Sequence, residues 1–148
     1  MHPHPRPPRG RSGHTLVEVT LALAVLGVLL LLAVGPVRRL VDGAAVRAAA
    51  GELATLLATA RDLAVAGASP VAVRLDPARG AATVLAGGDT LQRSALAADY
   101  GVTLTATRDS TAFAASGLGS GAANLSAVLT RGAAAETLFV SRLGRVRW

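Results

Sequence analysis

Apolar residues change their spacing twice along this chain, and each change marks a boundary. From Leu16 to Gly35 they are nearly continuous, interrupted only by Glu18 and Thr20. At about 1.5 Å per helical residue, this run of about twenty residues spans a hydrocarbon layer about 30 Å thick, so it predicts a membrane helix. Beyond Pro36 the pattern becomes amphipathic. Leu53, Leu56, Leu57, Ala60, Leu63 and Ala64 recur at intervals of three and four, while Arg47, Glu52, Arg61 and Asp62 fall on other faces. The helix is expected to loosen at Pro36, which removes one hydrogen bond, then to run to about Ala66 and stop at Gly67-Ala68-Ser69-Pro70.

From Val71 the period is two. Val71-Ala72-Val73-Arg74-Leu75 reads as a strand, Asp76-Pro77-Ala78-Arg79-Gly80 as a turn and Ala81-Ala82-Thr83-Val84-Leu85 as its hairpin partner. Further strands are expected at Val102 to Thr107, Leu125 to Thr130, Thr137 to Ser141 and Arg145 to Trp148, with Ser116 to Gly121 as a flexible loop. The fold class is therefore α+β, a long N-terminal helix whose later half packs on an antiparallel sheet. Its core is made of Ala, Val and Leu, with Phe113, Phe139, Tyr100 and Trp148 as the only aromatic residues.

Met1 to Gly13 holds three arginines, four prolines and no acid, which predicts an unfolded leader retained in the cytoplasm. A basic segment before an apolar one also fits a secretory signal, which requires small residues in an Ala-x-Ala-like site after the stretch. The stretch instead ends Leu32-Ala33-Val34-Gly35-Pro36-Val37, and Ala22-Leu23-Ala24 lies in mid-run. A plain uncleaved anchor is the other ordinary reading. Neither accounts for Glu18, since an ionised carboxylate at bilayer depth costs about 2.5–3.5 kcal/mol on insertion scales. It either snorkels to the interface from the first turn or finds a partner.

Gly13-His14-Thr15-Leu16-Val17-Glu18, followed by the apolar helix, resembles the class III signal of type IV pilins and type II secretion pseudopilins. The resemblance implies that a prepilin peptidase cuts between Gly13 and His14 on the cytoplasmic face and methylates the new N-terminus at His14. Glycine suits that cut, because a residue without a side chain lets an extended backbone enter a protease cleft. His14 stands where the family usually has phenylalanine or another apolar residue. Glu18 becomes the fifth residue of the mature chain, and the resemblance implies that it pairs with the N-terminal amine of a neighbouring subunit, so that two charges costly in lipid neutralise each other. The implied organisation is a cleaved leader over 1–13, a transmembrane and assembly helix over 14–36, its amphipathic continuation over 37–67 and a periplasmic β-sheet domain over 68–148. That is a pilin-like fold, anchored by a single pass in a bacterial inner membrane with its N-terminus cytoplasmic.

The later part of the chain resembles one branch, the GspH/FimT pseudopilins. The resemblance rests on Val46 to Leu53, the run Leu56 to Asp62, the Pro70-Val71 start of a strand, the Phe113-x-x-x-Gly117 pair and Gly144-Arg145-Val146-Arg147. It implies a minor pseudopilin, a structural subunit of a type II secretion pseudopilus that takes part in the export of folded proteins. The implied partners are other pseudopilins in a filament, the prepilin peptidase and the inner membrane. The alternative is a FimT-like minor type IV pilin that binds DNA through Arg142, Arg145 and Arg147 during DNA uptake, the one reading with a nucleic-acid partner.

Composition narrows the chemistry. All 15 basic residues are arginine, and loss of the leader's three leaves 12 against 9 acidic residues, so the mature chain is near +3 rather than +6. The high basicity thus overstates any case for nucleic acid. There is no cysteine, and all three histidines lie at or before His14, so the later chain lacks the usual residues of acid-base, thiol and zinc chemistry. An anchored periplasmic enzyme is disfavoured on that count, and no metal or cofactor is expected. Asp76, Asp89, Asp99, Asp109 and Glu136 fall in no catalytic motif and read as turn residues or solvated charges. Gly117-Leu118-Gly119-Ser120-Gly121 lacks both the Gly-Lys-Ser/Thr ending of a phosphate loop and the Gly-x-Ser-x-Gly pattern of a nucleophile elbow. On a strand, Arg145 and Arg147 share a face and are spaced to meet successive phosphates, or else they are the solvated charges of an edge strand that resists aggregation.

Overall fold

Apolar periodicity accounts for where the long helix buries a face and where it stops. The computed structural model describes residues 15–120 and 124–148. The leader, the Gly13–His14 junction and Gly121 lie outside the described residues. Helix α1 covers Leu16–Ala66, 51 residues, and includes Pro36. It ends in a Schellman-type turn, with Ser69 N–H donating to the Ala64 carbonyl at 3.2 Å and Ala68 N–H to that of Val65 at 3.3 Å. Ala68 takes the left-handed position at φ 45, just ahead of Pro70.

The chain divides into two units, one up to Val37 and one from Arg38 to Trp148. In the second unit, Val46, Ala49, Ala50, Leu53, Leu56, Leu57, Ala60 and Ala64 of α1 are buried. Leu63, expected on this face, is 38% exposed. It lies near the end of the helix, where Ala60 and Ala64 carry the packing.

Strands β1 (Val71–Asp76) and β2 (Ala81–Ala86) form the expected hairpin, in register from Val71 with Ala86 to Asp76 with Ala81. β3 (Asp89–Ser94) pairs with β2, and the short helix α2 (Leu96–Tyr100) follows. Then come β4 (Thr103–Ala106), β5 (Ser110–Phe113), β6 (Gly119–Ser120), β7 (Leu125–Arg131), β8 (Ala134–Val140) and β9 (Val146–Arg147). One sheet was expected and two are found. They have the orders β3-β2-β1-β5-β6 and β4-β7-β8-β9, with every pairing antiparallel. Between β3 and β4 the chain is redirected by α2, which Gly101 closes in the left-handed conformation.

Other expectations need correction. Gly119 and Ser120 are not loop, because they pair with Phe113 and Ala112 as β6. β8 begins at Ala134, three residues before Thr137. Of the aromatics, Phe113 is fully buried, but Phe139 is 55% and Trp148 62% exposed. Along β8 the side chains alternate, so burial of Leu138 and Val140 turns Phe139 outward.

Candidate assembly helix and C-terminal cleft

Two regions hold the residues singled out by sequence. The first is the start of α1. Thr15 caps it: its carbonyl accepts the N–H of Val19 at 3.2 Å and its hydroxyl accepts the N–H of Glu18 at 3.3 Å. The helix is long and apolar enough to cross a membrane, and its large apolar residues from Leu16 to Val37 are exposed. The Thr20 hydroxyl is satisfied within the helix, donating to the Val17 carbonyl at 2.9 Å. Glu18 is exposed, and among the described residues its carboxylate has no hydrogen-bond or ion-pair partner. Among the described residues it is thus the one polar side chain of the apolar run without a partner.

The second region is the C-terminal tail. Ser141 N–H donates to the Arg145 carbonyl at 2.9 Å, and the Ser141 hydroxyl accepts from Arg145 N–H at 3.2 Å. Gly144 sits inside this turn at φ 69, where a Cβ would lie 2.6 Å from the Gly117 carbonyl oxygen and 3.4 Å from the Phe113 ring. Arg61 donates from Nε to the same carbonyl at 3.0 Å. Phe113, Gly117, Gly144 and Arg61, scattered in sequence, therefore meet at one point. Past it, Trp148 lays its ring over Gly51 of α1, 3.4 Å from where a Cβ would stand.

This turn aims Arg145 and Arg147 outward. Both are exposed, and both line a cleft of about 320 Å³ with Phe139 and Leu143 and another of about 380 Å³ with Ala58, Arg61 and Asp62. Arg142 is exposed but lines neither, and its carbonyl accepts the N–H of Gly119 at 3.0 Å. Among the described residues, none of the three arginines forms an ion pair. Chemically, the pair beside the Phe139 ring can meet an anion and an apolar face together.

Sequence reasoning missed a set of polar ties between α1 and the segment from β3 to α2. Glu52, read as facing outward, accepts hydrogen bonds from the Ser94 hydroxyl and, at 2.5 Å, from the Tyr100 hydroxyl. The Ser94 bond, then the Tyr100 bond, hold its carboxyl below the ordinary range, against an opposing push from burial. The same bond, then burial, then the charges of Glu52 and Asp99, raise the Tyr100 phenol. Nearby, Arg131 reaches Asp42 of α1 at 3.0 Å and donates to the Tyr100 carbonyl at 2.6 Å. Two carboxylates of α1 thus hold the end of α2. No local pattern marks them, since Glu52 meets partners 42 and 48 residues away.

Residues 49–144 match the family described as Type II transport protein GspH, and residues 8–34 match the prokaryotic N-terminal methylation motif. No curated protein matches the chain significantly. Among solved structures, the type IV minor pilin FimU of Pseudomonas aeruginosa PAO1 is similar in two crystal forms. They are 19% and 18% identical, cover 69% and 68% of this chain and 86% and 90% of that one, and have TM-scores of 0.59 and 0.57. The minor pseudopilin EpsH from the Type 2 Secretion System of Vibrio cholerae is 15% identical, covers 69% of this chain and 94% of that one, and has a TM-score of 0.57. At such identities these likenesses speak to the fold, which is pilin-like. Since the GspH match spans most of the residues and the methylation motif stands at its expected place before them, the chain belongs to the GspH family of pilin-like proteins.

Proposed function

We propose that this chain is a minor pseudopilin of a type II secretion system, a structural subunit that joins others in a filament taking part in the export of folded proteins. In this reading, a prepilin peptidase cuts between Gly13 and His14 and methylates His14. The helix over 14–36 then holds the subunit in the inner membrane, 37–67 continues it, and 68–148 lies in the periplasm. The observation that carries the reading is Glu18, the one polar side chain of the exposed apolar run without a partner among the described residues, inside the matched methylation motif. A neighbour's N-terminal amine removes the cost of burying that carboxylate in lipid, so filament growth and charge neutralisation become one event. The test is Glu18→Ala in the full chain: membrane insertion stays normal while cross-linking between subunits is lost. Normal cross-linking would overturn the pairing.

A second reading is favoured by one observation, the exposure of Phe139 in the cleft lined by Arg145 and Arg147. Arginines beside an aromatic ring are the elements of a single-strand binding surface, where bases stack and phosphates are neutralised. A FimT-like pilin would contact DNA through these residues, with Arg142 on the same tail. A salt-dependent gel shift of the detergent-solubilised chain, lost in Arg145→Ala with Arg147→Ala, supports it; no shift at low salt removes it.

A further inference from the structure

The outer face of the five-stranded sheet carries arginines that belong to neither region above. Strand register sets Arg93 of β3, Thr83 of β2, Arg74 of β1 and Ser110 of β5 in one row across the sheet. Alternation turns this row away from the core side, which is held by Val73, Leu75 and Val84. Arg74 and Arg93 are exposed and Thr83 is half-buried, and they line a cleft of about 530 Å³ with Arg79, Asp76 and Asp109. Arg79 is already committed there: its Nη1 lies 3.0 Å from Asp76 Oδ2, and its backbone N–H donates to Oδ1 at 3.1 Å. Arg74 and Arg93 form no ion pair among the described residues. The remaining carboxylate, Asp109, accepts from the Ser110 hydroxyl at 3.3 Å. Two uncompensated guanidinium groups thus face one carboxylate, with a hydroxyl between them.

We propose that this row binds phosphoryl oxyanions, taking a ligand that carries two or more of them in series. Guanidinium forks match phosphoryl oxygens two at a time, and the Thr83 hydroxyl supplies a further donor. The backbones of Arg74 and Arg93 stand two strand spacings apart, about 9.6 Å, so each fork serves its own phosphoryl group. No aromatic residue lines the cleft, and what is recognised is the charged chain. That chemistry belongs to a polyphosphate or to a phosphodiester backbone. The site shares no lining residue with the clefts of the C-terminal tail.

The test is calorimetric titration of the full chain in detergent micelles with tripolyphosphate at low salt. Saturable binding is expected, weakened about tenfold or more in Arg74→Gln with Arg93→Gln, because each lost fork removes charge-assisted bonds. Asp109→Asn, which removes the opposing charge, should tighten binding about threefold. Arg145→Gln with Arg147→Gln should leave it within about twofold, since those residues line other clefts. Arg74 and Arg93 are exposed and unpaired among the described residues, so an unchanged melting temperature of the double variant separates lost binding from lost folding. Absence of saturable binding, an unaltered dissociation constant in the Arg74 and Arg93 variant, or an equal loss in the tail variant overturns the proposal. Displacement of tripolyphosphate by a short oligothymidylate assigns the phosphodiester source, and failure to displace it assigns the polyphosphate one.

Discussion

Arg61 and Gly117 are joined by a 3.0 Å hydrogen bond from the guanidinium Nε to the backbone carbonyl, across 56 residues of sequence. The bond ties the last turns of α1 to the segment after β5. Gly144 packs against the same oxygen from the C-terminal side, so helix, sheet and tail meet at one carbonyl. Bringing the tail this near the carbonyl that Arg61 uses demands a residue without a Cβ.

Gly144→Ala should therefore release the tail. Its φ of 69 is costly for alanine, and the new methyl group would stand 2.6 Å from the Gly117 oxygen. A loss of about 2 kcal/mol or more is expected in chemical denaturation. The chain has a single tryptophan, so the emission of Trp148, whose ring lies over Gly51, reports the tail directly. A red shift should accompany the loss, and an unshifted spectrum would show that the tail is held elsewhere.

Glu52 makes stability depend on pH at the acid end. Its carboxyl is held below the ordinary value of 4.5, so the unfolded chain binds the proton more readily than the folded one. The stabilisation is complete above about pH 4.5 and is lost as the pH falls through the lowered folded value. Glu52→Gln should be less stable at neutral pH and flatter below pH 4.5, because its one amide oxygen replaces two charged acceptors, one for Ser94 and one for Tyr100, and does not titrate. Tyr100 acts at the other end. Its raised phenol contributes stability below about pH 10 that is lost as the pH rises through the higher folded value, and Tyr100→Phe should remove that alkaline slope.

Arg131→Ala should cost about 1 kcal/mol, since a partly exposed ion pair contributes little and the bond to the Tyr100 carbonyl supplies the rest. Arg131→Lys should fall between wild type and alanine. A point charge can still meet Asp42, but the planar fork that also reaches Tyr100 is gone. Equal losses for lysine and alanine would assign the whole effect to the carbonyl bond.

How far the sequence could be read depends on whether each element announces itself by apolar spacing. The end of α1 at Ala66, the β1–β2 hairpin and β7 all carry a clear period, and the structure has them there. β3 does not: Asp89–Ser94 is an edge strand exposed along nearly all its length, so it has no buried face to impose alternation. β6 is two residues of a glycine-rich segment, recognisable only by its pairing with Phe113 and Ala112. Glu52 falls off the apolar face, and nothing in the sequence marks its partners, because a helical period registers apolar neighbours and is blind to hydroxyls that arrive from β3 and α2. Gly13-His14-Thr15-Leu16-Val17-Glu18 worked in the opposite way. It was legible because it is a local motif, and it needed no tertiary partner to be seen.

Thr15 offers a way to separate the position of Glu18 from its charge. Its hydroxyl accepts the Glu18 N–H at 3.3 Å while its carbonyl accepts that of Val19 at 3.2 Å, so the first turn of α1 depends on it as a cap. Thr15→Ala removes the hydroxyl acceptor and leaves the carboxylate. The expected loss is about 1 kcal/mol of local helix stability, read as faster amide exchange at Glu18. If Glu18 pairs with a neighbour's amine, a frayed first turn spreads its carboxylate over more positions. Cross-linking between subunits should then weaken without disappearing, whereas Glu18→Ala abolishes it. Thr15→Ser keeps the acceptor and should behave as wild type in both measurements. Assembly lost as fully in Thr15→Ala as in Glu18→Ala would mean that the cap, not the charge, is what assembly requires at this end of the helix.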